Sequence, residues 1–204
     1  MPLETSRKPD FRSDVRRYGK LGEMEFTRLF TPYARKRQMD LIDVSETPEF
    51  QDVDIDFLIS PKMVDLENIN VGRILKDRDI RKFEVKVDTR ALTTGNIPFE
   101  IISHHRLRGW SHLTRADYVV FFLTDMDCTE ISKMLMVDMP KWREMVESRR
   151  SRYRINHIYN EGIVDLLVPI SEMRNEGVIV NERTLSTGNE KKENSHGMQV
   201  QEDA

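Results

Sequence analysis

The chain of 204 residues contains one cysteine, Cys128. A single cysteine excludes an internal disulfide and any multi-cysteine zinc site, so the fold must rest on burial and hydrogen bonding. Long apolar runs are also missing. None approaches the roughly 20 residues of a membrane span. The N-terminal stretch MPLETSRKPDFRSD lacks the apolar core of a signal peptide. These absences together point to a reducing, cytoplasmic compartment and no membrane partner. An overall excess of positive charge is lacking too. The formal net charge is -3, which rules out nucleic-acid binding through bulk charge and leaves only local basic patches.

What is present fits one soluble domain. At 38% hydrophobic and 33% charged, the chain can build one good core under a polar periphery, and its length is too short for two large domains. Residues 1–11 read as a flexible N-terminus, 12–180 as a single α/β domain and 181–204 as a disordered polar tail. Two basic stretches stand out. The first carries Arg7, Lys8, Arg12, Arg16, Arg17 and Lys20, and the second carries Lys141, Arg143, Arg149, Arg150, Arg152 and Arg154. Such runs are ordinarily solvated helix faces. As nucleic-acid-binding residues, the candidates are Arg16, Arg17, Lys20, Arg149 and Arg150.

Periodicity predicts a helix from about Ser13 to Tyr33. Val15, Tyr18, Gly22, Phe26, Leu29 and Phe30 recur at three- and four-residue steps, Ser13 and Asp14 suit an N-cap, and Pro32 suggests an end close by. Val53 to Ile59 alternates as a strand, stopped by Ser60-Pro61. Further strands are expected at Ile80–Asp88, at Ile97–Ser103 after a Thr93–Asn96 turn, at Lys133–Val137 and at Ile163–Ile170. The run YVVFFL (118–123) suits a central strand buried on both faces. Pro140 to about Tyr153 reads as a helix with proline in its first turn. The order implies a mixed central β-sheet flanked by helices.

The chemistry concentrates in Phe83-Glu84-Val85-Lys86-Val87. On a strand, Glu84 and Lys86 share one face and the apolar residues share the other. Alone, this is an ordinary surface ion pair. Given partners, a same-face acid and lysine can serve a metal-assisted attack on phosphate. Asp54 and Asp56 share a face of the preceding strand and could lie beside Glu84 if the two strands are antiparallel neighbours. Glu100 lies on the following strand, and Glu23 and Glu25 lie in the first helix. Magnesium needs only two or three hard oxygen ligands besides water. Asn96 and Thr94 can donate to a phosphate or simply form their turn. His104 and His105 point apart on a strand and read as surface residues. Trp110 reads as a core anchor, with stacking on a base as the functional alternative.

The pieces GEMEFTRLF, DVDIDFLIS and FEVKVD, in that order, resemble the PD-(D/E)XK nuclease superfamily. EVKVDTRALTTGNIPFEIIS followed by GWSHLTRADYVVFF is similar to its phage-encoded and Holliday-junction-resolvase-like members. The resemblance covers roughly residues 15–125. It implies a restriction-endonuclease-like core and hydrolysis of phosphodiester bonds in DNA with Mg2+ or Mn2+, inside a bacterial or phage-infected cell. Asp56 and Glu84 would be metal ligands, aided by the backbone carbonyl of Val85. Lys86 would orient the attacking water or stabilise developing charge, and Glu23 would be an outer ligand. No proline precedes the first acid, so the motif leaves Asp54 and Asp56 open. The apolar-Asp-apolar context favours Asp56. Family spacing favours Glu23, whereas a helical wheel puts Glu25 nearer the apolar face. Glu100 is open between a metal or substrate role and pairing with Arg90 or Arg106. The preferred substrate is branched or structured DNA, for which a homodimer is a suitable arrangement. The rival readings are a nuclease of RNA or single-stranded DNA, and a non-catalytic nucleic-acid-binding module with the same fold.

Overall fold

The spacing of Phe26, Phe30 and Ala34 puts all three on one buried stripe of α1 (Phe11–Lys36). A computed structural model shows where that stripe lands. It describes residues 11–185 except Glu67, His105, Arg106, Cys128 and Thr129, with residues 11–16 described by their backbone alone. Cys128 and His105 therefore lie outside the described residues. α1 starts ahead of the expected Ser13–Asp14 cap and continues past Pro32. Pro32 and Arg28, whose carbonyl it cannot serve, both lie on the exposed side. The buried stripe, ending in Ala34, holds the last turn in place.

The chain continues through β1 (Asp40–Asp43), α2 (Pro48–Gln51), β2 (Phe57–Ser60), α3 (Val71–Lys76) and β3 (Arg81–Asp88). Next come α4 (Ala91–Thr94), β4 (Asn96–Ser103), β5 (Leu107–Arg108), α5 (Trp110–Leu113) and β6 (Tyr118–Thr124). It closes with β7 (Ile131–Asp138), α6 (Met139–Arg149), a 3-10 turn, β8 (Arg154–Ile158), β9 (Ile163–Pro169), α7 (Ile170–Asn175) and β10 (Ile179–Thr184). Polar caps set two of the helices. Asn70 accepts from the Arg73 N–H at 2.9 Å, and Asp138 accepts from the Lys141 N–H at 3.0 Å.

The fold is α/β, with a six-stranded mixed sheet in the order β1-β2-β3-β6-β7-β10. Only β3 and β6 pair in parallel, with Glu84 opposite Val119 and Lys86 opposite Phe121. A second, four-stranded antiparallel sheet runs β5-β4-β9-β8. β6 is buried on both faces. Val120 and Phe122 meet Phe26, Phe30, Phe57 and Phe83 under α1. Val119, Phe121 and Leu123 meet Phe99, Leu166 and Val168 of the second sheet and Trp142 of α6. Stacked rings knit both sides, with Phe26 4.1 Å from Phe30 and Phe99 4.4 Å from Trp142.

Several expected boundaries move. β2 begins at Phe57 rather than Val53, because Asp54 adopts φ 49° and the Ile55 N–H turns back to Phe50 O at 3.1 Å. The expected turn at 93–96 is α4 closed by Gly95 at φ 69°. The helix expected to reach Tyr153 ends at Arg149, and β8 follows. β10 carries the sheet through Thr184, past the expected tail boundary at 181, where Glu182 pairs with Lys133 and Arg174. The rest of that tail, from 186, and residues 1–10 lie outside the described residues.

Two glycines permit close approaches. A Cβ at Gly22 would lie 2.8 Å from a Val87 methyl, and one at Gly109 would lie 2.2 Å from the Glu100 carbonyl oxygen. The first obstacle is a side chain that can turn away. The second is backbone. Gly109→Ala is therefore expected to cost more stability than Gly22→Ala, at about 1–3 kcal/mol or above. Thermal denaturation of the two variants checks the order, and equal losses would contradict it.

Candidate functional site

The β2–β3 ladder pairs Ile59 with Arg81, Leu58 with Lys82 and Phe57 with Phe83, and then stops. The Asp56 N–H still donates to Phe83 O at 2.9 Å, but the left-handed Asp54 turns the preceding chain away. The two strands part into a fork. Asp56 fills the gap, its Oδ2 accepting the Val85 N–H at 2.8 Å. The N–H and C=O of a strand residue project to the same edge. The Val85 carbonyl therefore opens into the same fork.

Glu84, on the adjacent position of β3, is only 3% exposed. One oxygen, Oε1, is ion-paired with the Lys86 Nζ. The other, Oε2, is buried and has no hydrogen-bond partner. A buried, unpartnered carboxylate oxygen is costly and calls for an explanation. Lys86 Nζ also lies 5.2 Å from the centre of the Trp110 ring, a cation–π arrangement. Trp110 thus has two roles, since it also packs on Phe99 and Phe121 in the core.

Several acids crowd this one ammonium. Burial, then the charge of Glu84, pushes Asp56 up to about 8 against the opposing Val85 hydrogen bond and Lys86. Asp54 rises to about 6 through burial and Glu84, with Lys86 opposing and Glu100 adding to the rise. Glu23 is raised by burial, with Lys20 opposing, and then by Asp43, Glu46 and Glu84. Burial lowers the Lys86 pKa, but Glu84, Asp56 and Asp54 more than reverse this, so the ammonium stays charged. The carboxylates cannot all ionise together without more positive charge.

The donor set fits a hard divalent cation. Asp56, Glu84 and the Val85 carbonyl offer oxygen only, and one Glu84 oxygen has no other partner. Among the described residues, no group of three His, Cys, Asp or Glu is already gathered in ligating geometry. The arrangement is two carboxylates and a carbonyl, with Glu84 turned toward Lys86.

The remaining candidates are placed as follows. Glu23 follows Gly22, where α1 touches Val85 and Val87, and its charge is felt by Asp56. Glu25 instead accepts from Arg28 Nε at 2.8 Å. Glu100 stands in the second sheet, not beside β3, because β4 leaves the central sheet to pair with β9. Its carboxylate accepts the backbone N–H of Trp110 at 3.4 Å and forms no ion pair among the described residues, while Arg106 lies outside them. Asn96 spends its amide on Thr94 O at 2.8 Å and so stitches the turn. Lys20 pairs with Glu46 at 3.6 Å, and Arg149 pairs with Glu176 at 2.6 Å and Glu172 at 3.4 Å. Arg17 and Arg150 are exposed. The Arg16 side chain lies outside the described residues.

Sequence reasoning missed the braces of the acidic loop. Thr114 Oγ1 donates to Asp54 O at 2.9 Å, and the Arg115 N–H donates to Val53 O at 2.8 Å. No local pattern marks residues that act sixty positions away. It also missed Lys82, whose place on the Glu84 face was visible in the alternation. Lys82 Nζ pairs with Asp117 at 3.1 Å and donates to Asp77 O at 3.2 Å.

Comparison of the chain with protein-family models, curated proteins and solved structures finds no match. The site stands on its geometry.

That geometry fixes a pH dependence. Asp54 and Asp56 have folded-state pKa values raised above the ordinary carboxylate value. Their stabilising contribution is complete below the unfolded pKa of about 4 and is lost as pH rises through the folded values. In metal-free buffer, Tm should therefore fall as pH rises from about 4 through about 8. Asp56→Asn keeps an oxygen for the Val85 N–H but removes the charge, and should flatten that fall. A wild-type slope in the variant would contradict it.

Proposed function

We propose that this chain is a metal-dependent nuclease that hydrolyses phosphodiester bonds in DNA. The observation that carries the reading is Glu84 at the fork of β2 and β3. It is buried, with one oxygen on Lys86, one oxygen unpartnered and Asp56 just ahead of the neighbouring strand. The element order supports it: a glutamate-bearing helix, an acid where β2 leaves β3, Glu-x-Lys on β3, and β6 parallel to β3. A glutamate-bearing helix, then an acid, then Glu-x-Lys on a strand is the order in which the PD-(D/E)XK resemblance expects its motifs.

On this reading Asp56, Glu84 and the Val85 carbonyl hold Mg2+ or Mn2+, with Glu23 as an outer ligand. A divalent cation bound there neutralises phosphate charge and acidifies a coordinated water. Hydrolysis adds the water oxygen to phosphorus and breaks one P–O ester bond. The role of Lys86, whose ammonium stays charged among the acids, would be to meet a non-bridging phosphate oxygen and steady charge as it grows on the phosphoryl group. The Trp110 ring keeps that ammonium from swinging away from the fork. Glu100 accepts the backbone N–H of Trp110 and so helps hold the start of α5, from which the ring projects.

Purified protein with Mg2+ or Mn2+ should cut duplex or branched DNA, and Lys86→Ala should reduce kcat about 100- to 1,000-fold. Mn2+ should also raise Tm in the wild type and much less in Glu84→Gln. Absence of cutting on every DNA and RNA substrate, or a Lys86→Ala protein that cuts like the wild type, would overturn the reading. Cleavage of RNA or single strands alone would replace DNA duplex as the substrate. Nucleic-acid binding without any cutting would leave a binding module.

A further inference from the structure

The segment from Gly109 to Arg115 touches the fork repeatedly. Trp110 carries Lys86 on its ring, its backbone N–H is held by Glu100, Thr114 holds the Asp54 carbonyl and the Arg115 N–H holds the Val53 carbonyl. The same segment leads directly to unneutralised positive charge. Arg108 precedes it on β5, His112 lies in α5 and Arg115 ends it, and all three are exposed. α6 docks on its end, where Arg143 Nη2 donates to Thr114 O at 2.6 Å, and Arg150, directly after α6, is near enough for His112 to feel its charge. None of Arg108, Arg115, Arg143 and Arg150 has a carboxylate partner among the described residues, in contrast to Lys20, Arg28, Lys62, Lys133, Arg149 and Arg174.

These cations oppose one another. The His112 pKa is lowered by burial and then by Arg150, Arg108 and Arg143. That of Arg143 is lowered by burial and then by Arg115. Like charges gathered without counter-ions destabilise a fold unless an anion takes them up. Trp110 packs against Phe99, Phe121 and Lys86, which leaves its ring little free face for stacking. A single-strand track stacks bases on aromatic faces, whereas a duplex track needs only cations for phosphates.

We propose that Arg108, Arg115 and Arg150, together with His112, form the track on which the backbone phosphates of a nucleic-acid duplex lie as it reaches the fork. The assignment rests on the nuclease reading for its ligand. It replaces Lys20 and Arg149, whose charges are already met. Contact is with phosphates, so it is independent of sequence and strongly dependent on salt.

The test is fluorescence anisotropy of the full chain with a labelled blunt duplex in EDTA, across a salt series, so that cutting does not enter. Each of Arg108→Ala, Arg115→Ala and Arg150→Ala should reduce the slope of log K against log salt by about 0.9, and the triple variant by about 2.7. Arg149→Ala should leave the slope unchanged. Circular dichroism establishes that the variants fold, as exposed positions allow. A triple variant with the wild-type slope overturns the track, as does a wild type that does not bind duplex, or one that binds the matching single strand more tightly. Cleavage assays with Lys86→Ala separate the two ideas. Lost slope in the triple variant with no cutting by any form leaves the track and removes the nuclease. Unchanged slope with Lys86-dependent cutting does the reverse.

Discussion

The carboxylate of Asp56 on the N–H of Val85 is the contact around which the site is arranged. An antiparallel ladder would supply that N–H with a carbonyl from β2, but the left-handed backbone at Asp54 takes β2 away before it can. A side chain then replaces a strand. The replacement satisfies β3 while leaving the fork open, and it brings an ionisable oxygen to the edge where the Val85 carbonyl emerges. Were the ladder to continue, Asp56 would be an ordinary strand residue and the space before Glu84 would be filled with backbone. The braces from Thr114 and Arg115 keep the departing chain in its turned-back path.

β3 itself supplies a comparison between charge that is fully met and charge that is not. Lys82, Glu84 and Lys86 share one face. At the start of the strand, Lys82 is fully engaged, with its Nζ on Asp117 and the Asp77 carbonyl, while Asp117 also accepts the Lys82 N–H at 3.0 Å. That network joins the start of β3 to the residue just ahead of β6, and leaves no buried side-chain atom of Lys82 or Asp117 without a partner. Two residues on, Glu84 is equally buried and half unmet. Strand context and burial are alike, and the difference lies in satisfaction of the charge. A buried ion pair that is complete tells little beyond packing. One that leaves an oxygen without a partner keeps the capacity to meet a further positive group.

Much of the scaffold was legible because its signals are local. The three- and four-residue steps of α1, the run YVVFFL and the alternation around Glu84 each follow from one element meeting one or two apolar surfaces. Long-range features were not. Alternation from Val53 to Ile59 continues through Asp54 and Asp56 although the strand starts only at Phe57, since a turn stitched to Phe50 can bury Ile55 as well as a strand can. Glu100 reads as a strand acid in either sheet, and only pairing with β9 decides between them. β10 reads as tail because an edge strand needs little apolar content. It is held by ladder bonds and by Glu182 between Lys133 and Arg174. Which arginines are free could not be read from composition either, because neutralisation of Arg149 comes from Glu172 and Glu176 on a distant helix and its following turn.

Topology explains why so many parts meet at the fork. β3 and β6 are parallel neighbours, and parallel strands cannot be joined by a hairpin. A crossover is obligatory, and here residues 89–117 make it. Instead of a single helix, the crossover contains α4, two strands of the second sheet and α5. It leaves from the end of β3 that bears Lys86 and must return to the start of β6, so it passes over the face on which Glu84 and Lys86 lie. Trp110, Glu100 and Thr114 are all crossover residues. Their contacts with Lys86 and the acidic loop are consequences of the route the chain must take. The tight approach of Gly109 to the Glu100 backbone fixes where on that route α5 sits. The opposite face of the sheet, under α1, is stacked phenylalanine and needs no polar group. One face can therefore supply the burial that stabilises the fold while the other holds the incompletely satisfied charge.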